Sequence, residues 1–283
     1  MTSAASVVQI MPSLLSQKKR PEVLDHYTSQ HGLLGIGEKR KLWATDIRYL
    51  NDSQEFERAL VLARACMEKE RNSGKLGRMQ FAGKVLAALK MLDVEKFRVY
   101  VTSFSSNGDQ LSQWRGYCPE GAGFSIGFNS DDLVILANSQ HFSLVPCLYS
   151  EDEQGRLIAD LLSTAWKTKT DVSPDKLFVL LLVKWAAAIK DQGFREEEEW
   201  RLVSARFGPK PIFRPGRSFL VPYIEMDLAN KHVPRGKIDC INSVIVGPTP
   251  HPELSEKAVA DAFDKYEVNY QTTFRSTIPF RSW

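Results

Sequence analysis

The sequence predicts an α+β fold, a core of short mixed strands flanked by helices. Two observations predict it. Short runs rich in β-branched and aromatic residues, such as 98–104 and 123–128, recur at strand length. Between them lie longer stretches whose apolar residues stand three and four apart, as on one face of a helix. The two kinds do not alternate strictly, which argues against a doubly wound parallel sheet. A length of 283 residues, 43% of them hydrophobic and 25% charged, suits an ordinary globular protein.

In order, Val23–Ser29 reads as a first strand and 30–36 as a short helical turn, followed by a charged connector at 37–41. Leu42–Thr45 is a second short strand. Asp52 with Glu55 three residues later resembles a capping box, and Phe56, Leu60, Ala63 and Met67 continue at helical spacing. A helix at 78–92 carries Phe81, Val85 and Leu89 on one stripe. The two central strands then enclose a polar turn holding Asp109, Gln113, Trp114, Arg115 and Tyr117. Residues 144–149 read as a strand, and 151–168 and 174–190 as helices. The second of these helices is apolar almost all round, so it is expected to be buried. A strand at 200–204 follows the acidic run Glu196 to Glu199. The prolines at 209, 211 and 215 mark 208–216 as a turn-rich connector. Strands at 218–225 and 243–246, a helix at 252–267 and a strand at 268–278 close the chain. Residues 1–20 read as a loosely ordered lead-in, and 21–283 as a single α+β domain with helical insertions at about 53–92 and 151–191.

Several function classes are disfavoured. The apolar residues of the lead-in precede Lys18, Lys19 and Arg20, the reverse of a secretory signal. No apolar run approaches the ~20 residues that span a bilayer, so no membrane partner is expected. Cys66, Cys118, Cys147 and Cys240 stand far apart, which disfavours zinc and a disulfide framework and suits a reducing, cytoplasmic setting. A net charge of +3 is too mild to argue for nucleic acid by itself. No metal is expected, because His26 and His31 stand five apart without a His-Glu-x-x-His frame. Ser125 sits in a Gly-x-Ser-x-Gly match, but inside an alternating strand instead of a strand-to-helix elbow, so it reads as a strand residue.

Four segments carry groups suited to chemistry: 26–29, 42–52, the Trp114-Arg115 turn and the run ending at Glu199. Trp114 and Arg115 offer a π-face beside a planar donor fork, a pairing suited to phosphate, carboxylate or a base. The structural alternative is a buried Trp with its Arg paired to a carboxylate. A run of four carboxylates is ordinarily a solvated face, and Glu196 and Glu197 are read as facing water. Strand alternation puts Glu199 and Arg201 on one face and Trp200 on the other. A carboxylate at a strand end is placed to accept from a sugar hydroxyl or to stabilise a cationic transition state.

Taken together, the segments 26–29, 42–56, 103–105, 111–117, 123–128, 199–203, 246–248 and 276–281 resemble the bacterial domain-of-unknown-function family 2971. The opening segments also resemble ADP-ribosyltransferases of the diphtheria-toxin and poly-ADP-ribose-polymerase type. That resemblance implies a split mixed sheet and NAD as substrate, with no metal. It implies an NAD-dependent ADP-ribosyltransferase or NAD glycohydrolase whose acceptor is a protein, a nucleic acid or water. By it, His26 and Glu199 would be catalytic, His26 holding the ribose and the nicotinamide amide and Glu199 the ribose hydroxyl. Trp43 and Tyr49 would sandwich the nicotinamide, Tyr27 and Ser29 would belong to the cofactor-binding set, and Trp114 and Arg115 would hold the phosphates or the acceptor. Tyr27 stands where that type has Gly, and Trp43 where it has Tyr. The first family further implies a role in toxin action, abortive infection or phage defence. The alternative is a non-catalytic nucleotide- or nucleic-acid-binding module using Trp114, Arg115 and Arg201.

Overall fold

A computed structural model describes residues 10–50, 55–92, 97–117, 123–205, 210–216, 218–229 and 240–279. Its helices are α1 (Ser13–Ser16), α2 (Gln30–Lys39), α3 (Glu55–Arg71), α4 (Leu76–Lys90), α5 (Leu111–Tyr117), α6 (Ser130–Ser139), α7 (Glu151–Lys167), α8 (Pro174–Trp185) and α9 (Pro252–Lys265). Its strands are β1 (Val23–Ser29), β2 (Lys41–Asp46), β3 (Val99–Ser105), β4 (Gly123–Asn129), β5 (Ser143–Pro146), β6 (Glu199–Ala205), β7 (Ile212–Pro215), β8 (Leu220–Asp227), β9 (Ile241–Val246) and β10 (Thr272–Arg275). The fold is α+β. The sheet runs β10-β9-β4-β1-β3-β2-β8-β7, with β6 also on β3 and β5 on β6.

Strand β3 positions the site. One edge pairs with β6 from Val99 to Ser105. The other edge is divided. Ser105 meets Asp25 of β1, whereas Val101 and Tyr100 meet Thr45 and Asp46 of β2. Beyond these contacts β1 pairs with β4 along its length, and β2 pairs with β8. The two strands therefore diverge, and the sheet is split between them.

Alternation sorts side chains to two cores. Val99 and Val101 of β3 and Val203 of β6 enter a core built from α3, α4, α7 and α8. Tyr100, Phe104 and Leu202 enter the other, with α2, α6 and α9. Leu42 and Ala44 of β2 join that second core, so Lys41, Trp43 and Thr45 fall on the opposite face, where none of them enters either core. The α8 segment from Leu177 to Trp185 is buried at every position but Leu180, as its all-round apolarity predicts.

Several elements depart from the sequence reading. The lead-in is docked from Ile10 onward instead of loose: Ser13 Oγ and the Leu14 N–H donate to Asp160, and Trp185 Nε1 donates to the Ile10 carbonyl. The connector at 37–41 continues α2 to Lys39. Helix α6 occupies a stretch not assigned from sequence, capped by the Asn129 side chain. Part of the proline-rich 208–216 connector is a strand, β7, which is tolerated because β7 lies at the sheet edge. Asp52 of the expected capping box lies outside the described residues, and Glu55 turns inward to Arg201. Among the described residues no helix is long and apolar enough to cross a membrane.

Leu15 of α1 is 3% exposed. Leu15→Ala should cost roughly 2–5 kcal/mol, the range for truncating a buried leucine. Urea denaturation checks this, and an unchanged midpoint would return the segment to a loose lead-in.

Candidate functional site

A cavity of about 420 Å³ opens where β1 and β2 part, within the size range of ligand sites. It gathers His26, Tyr27 and Ser29 from β1, Trp43 from β2 and Glu199 from β6. Five residues singled out from sequence thus share one cavity, although the chain carries them on three strands.

His26 stands in the split itself. Its ring lies 5.6 Å from that of Phe104, and Nδ1 is 2.9 Å from the Ser103 carbonyl oxygen. A carbonyl only accepts, so Nδ1 carries the hydrogen. Burial pushes the pKa of the imidazole down; the Ser103 bond opposes this, and the Arg214 charge adds to the lowering. The neutral ring leaves Nε2 as an acceptor. The Thr102 hydroxyl donates to the Trp43 carbonyl at 3.1 Å, a second side-chain bond across the same gap.

Glu199 is 4% exposed and ionised. Burial pushes its carboxyl up, but Arg201 and Lys190 outweigh burial and hold it down at about 2. Arg201 Nε donates to Oε1 at 2.7 Å and Nη2 to Oε2 at 3.1 Å. Lys190 Nζ bridges Glu199 and Glu197. A carboxylate offers about four lone-pair sites, and these contacts fill three. The remaining one is on Oε1, and the residue lines the cavity. Arg201 spends the rest of its guanidinium on Glu55, at 2.6 and 2.7 Å, and on the Ala187 carbonyl at 2.9 Å. Its five N–H groups are all bonded and the residue is 2% exposed, so it does not reach a phosphate. That contradicts its role in the binding-module alternative.

Trp114 and Arg115 are not brought to the cavity. The expected turn is the helix α5, and its geometry separates the groups: Gln113 and Tyr117, four apart, line the cavity, while Arg115 is exposed. Trp114 is 1% exposed, edge-on to Tyr27 at 4.7 Å, and donates to Asp109 at 2.8 Å. Asp109 also accepts from Ser276 and Thr277. Burial raises the Asp109 carboxyl, and these bonds outweigh it and lower it. A Cβ at Gly247 would lie 2.9 Å from the Trp114 ring, so glycine there makes room for it. The stretch fastens the chain's last strand region to β1. The Tyr27 hydroxyl donates to the Asn107 carbonyl at 2.7 Å and accepts from the Gln110 N–H at 3.0 Å, so it braces the same loop. Ser29 Oγ caps α2 by accepting from the Gly32 N–H at 3.2 Å.

Tyr49 does not face Trp43 across a sandwich. It sits on a 3₁₀ turn, 38% exposed, with its ring against Phe219. Tyr223 of β8, the cross-strand partner of Thr45, supplies the aromatic contact instead, at 4.7 Å between centroids. Glu197 lines the cavity, contrary to the expectation that it faces water, because a 3₁₀ turn through Gln192–Glu197 and a left-handed Glu198 fold the run back on itself.

Asp25, Gln113, Glu197 and Arg214 line the cavity without having been singled out as ligand-facing. Asp25 is 7% exposed and accepts from Ser125 Oγ at 3.3 Å. Ser125 is a buried strand residue, as its context implies. Burial pushes the Asp25 carboxyl up to about 6, against the opposing Ser125 bond. Among the described residues no group of three or more His, Cys, Asp or Glu could hold a metal ion.

A family described as "Protein of unknown function (DUF2971)" matches residues 113–202. The match takes in Trp114, Arg115 and Glu199 and leaves out His26 and Trp43. No curated protein matches the chain. A solved structure, Thermus sp. 2.9 DarT in complex with ADP-ribosylated ssDNA, is similar at 11% identity over 91% of this chain and 98% of that one, with a TM-score of 0.33.

A carboxyl whose folded pKa is raised stabilises the fold fully below its unfolded pKa, and that stability is lost as pH rises through the folded value. For Asp25 the window runs from 3.8 to about 6. Wild type should therefore lose on the order of 3 kcal/mol across it relative to Asp25→Asn. Urea midpoints of the two proteins at both ends of the window measure the difference; parallel pH profiles would show Asp25 to be ordinarily solvated.

Proposed function

We propose that the cavity binds NAD and that the protein cleaves its nicotinamide–ribose bond, passing ADP-ribose to a protein, a nucleic acid or water. One observation carries this reading: His26, Trp43 and Glu199 meet at the split of a mixed sheet. A neutral imidazole, an aromatic face and an ionised carboxylate are the groups that such a cleavage uses.

The nicotinamide ring packs on Trp43, which Tyr223 backs. His26, held through Nδ1, offers Nε2 to a ribose hydroxyl. The C1′–N bond breaks with its electron pair going to nicotinamide, which leaves neutral. Positive charge develops on the ribose, and the Glu199 carboxylate stabilises it while its free lone pair accepts from the ribose 2′-hydroxyl. An oxygen or nitrogen of the acceptor then bonds C1′ and gives its proton to solvent. Arg201 and Lys190 are positioning residues: they hold Glu199 ionised without touching the substrate. A role in toxin action or phage defence, in the cytoplasm, is an extension of the family resemblance.

Release of nicotinamide from NAD by purified protein tests the reading, and no release above the uncatalysed rate would end it. In Glu199→Gln, NAD affinity should stay within a few-fold while turnover falls by roughly two to three orders of magnitude, because the lost interaction acts on the transition state. Glu197→Gln should lose less, since Glu197 acts through Lys190. Turnover is normalised to the folded fraction, because the substitution at 199 also deprives Arg201 and Lys190 of a counter-charge. Undiminished turnover in Glu199→Gln would take the carboxylate out of the chemistry.

A further inference from the structure

Among the described arginines that are buried or half-buried, Arg20, Arg40, Arg48, Arg58, Arg64 and Arg201 each reach a carboxylate. Arg214 of β7 is half-buried as well and has no carboxylate within ion-pair distance among the described residues. Its one hydrogen bond is from Nη2 to Thr45 Oγ1, at 3.0 Å. Its Nε is buried with no partner. The guanidinium carbon stands 5.5 Å from the Trp43 ring centre, and the residue lines the cavity. A buried donor without a partner is costly, and a buried cation without a counter-charge more so. A cavity lined by a half-buried cation with no counter-charge among the described residues is suited to an anion that enters it.

Its place in the cavity narrows what enters. Arg214 bonds Thr45, and Thr45 pairs with Val101 of β3. Glu199 pairs with Ser105, four residues along the same strand, or roughly 13 Å at the rise of a strand. The carboxylates Glu197 and Glu199 thus stand at one end and the uncompensated cation toward the other. Lys41 does not compete for an anion there, because Glu225 holds it in an ion pair. A ligand matched to this layout develops positive charge at one end and carries fixed negative charge at the other. Nη1, which bonds nothing among the described residues and is not a buried atom, and the second N–H of Nη2 form the end of the planar fork that a phosphate takes.

We propose that Arg214 is the phosphate-binding residue of this cavity and grips the diphosphate of the nucleotide through the Nη end of its guanidinium. The choice of phosphate among oxyanions rests on the NAD reading above; the existence of an anion subsite does not. Arg214 therefore makes the site selective for nucleotides over the corresponding nucleosides.

Calorimetric titration of wild type, Arg214→Gln and Arg214→Lys with ADP-ribose, inorganic pyrophosphate and nicotinamide riboside tests this. Losing a charged hydrogen-bond donor should weaken ADP-ribose and pyrophosphate by roughly 10- to 100-fold in Arg214→Gln. Arg214→Lys should fall between, since it keeps the charge and loses the fork. Nicotinamide riboside, which has no phosphate, should bind all three proteins alike. Thermal melts identify a variant that fails to fold, and the lysine protein then carries the comparison. Arg214-dependent binding of pyrophosphate without binding of ADP-ribose would uphold the anion subsite and defeat the NAD reading. NAD cleavage with an unchanged KM in both variants would uphold the NAD reading and overturn the subsite. Equal ADP-ribose affinity across the proteins, an equal loss for the riboside, or a wild type that binds neither phosphate ligand would also overturn it.

Discussion

Between Val101 and Ser105, one edge of β3 changes partner from β2 to β1. Backbone groups along that edge then face a gap, and leaving a buried one unpaired would cost about 1–3 kcal/mol. Side chains stand in for the missing strand. The His26 imidazole takes the Ser103 carbonyl, and the Thr102 hydroxyl takes that of Trp43. The bond that satisfies the Ser103 carbonyl also fixes the His26 tautomer. The gap that creates the need is the cavity that the ring faces. Sheet geometry and site chemistry are one constraint here.

The second requirement is a carboxylate that stays charged while buried. Glu199 alone would take up a proton; it stays ionised because Arg201 and Lys190 face it. Arg201 is itself oriented by Glu55 at the start of α3 and by the Ala187 carbonyl after α8. The helical layer on that face is therefore part of the site's machinery. Removing one partner of such a buried network costs about 3–5 kcal/mol, so the charge arrangement and the fold rise and fall together.

The α+β class and most elements were legible in the sequence because they follow from local periodicity. His26, Trp43 and Glu199 were legible as polar and aromatic groups on or beside strands. What failed was decided at a distance. Glu55 reads locally as a capping residue, yet its partner Arg201 lies 146 positions away. Asp25 is perturbed by burial against β4 and beside Gly108, where a Cβ would lie 2.6 Å from its Oδ1. Trp114 and Arg115 are adjacent in the chain, and a short helix sends one into the protein and the other to solvent. Arg214 was hidden by prolines at 211 and 215, which signal a turn unless the strand is an edge strand, and only the β7–β8 pairing makes it one.

The most direct measurement is a crystal structure of the protein with the carba analogue of NAD, whose glycosidic bond does not cleave. Nicotinamide should stack on Trp43, a ribose hydroxyl should lie within hydrogen-bond reach of His26 Nε2 and Glu199 Oε1, and the Glu199–Arg201 contact should stay intact. An analogue bound outside the split between β1 and β2, or with its ribose turned away from Glu199, would contradict this arrangement.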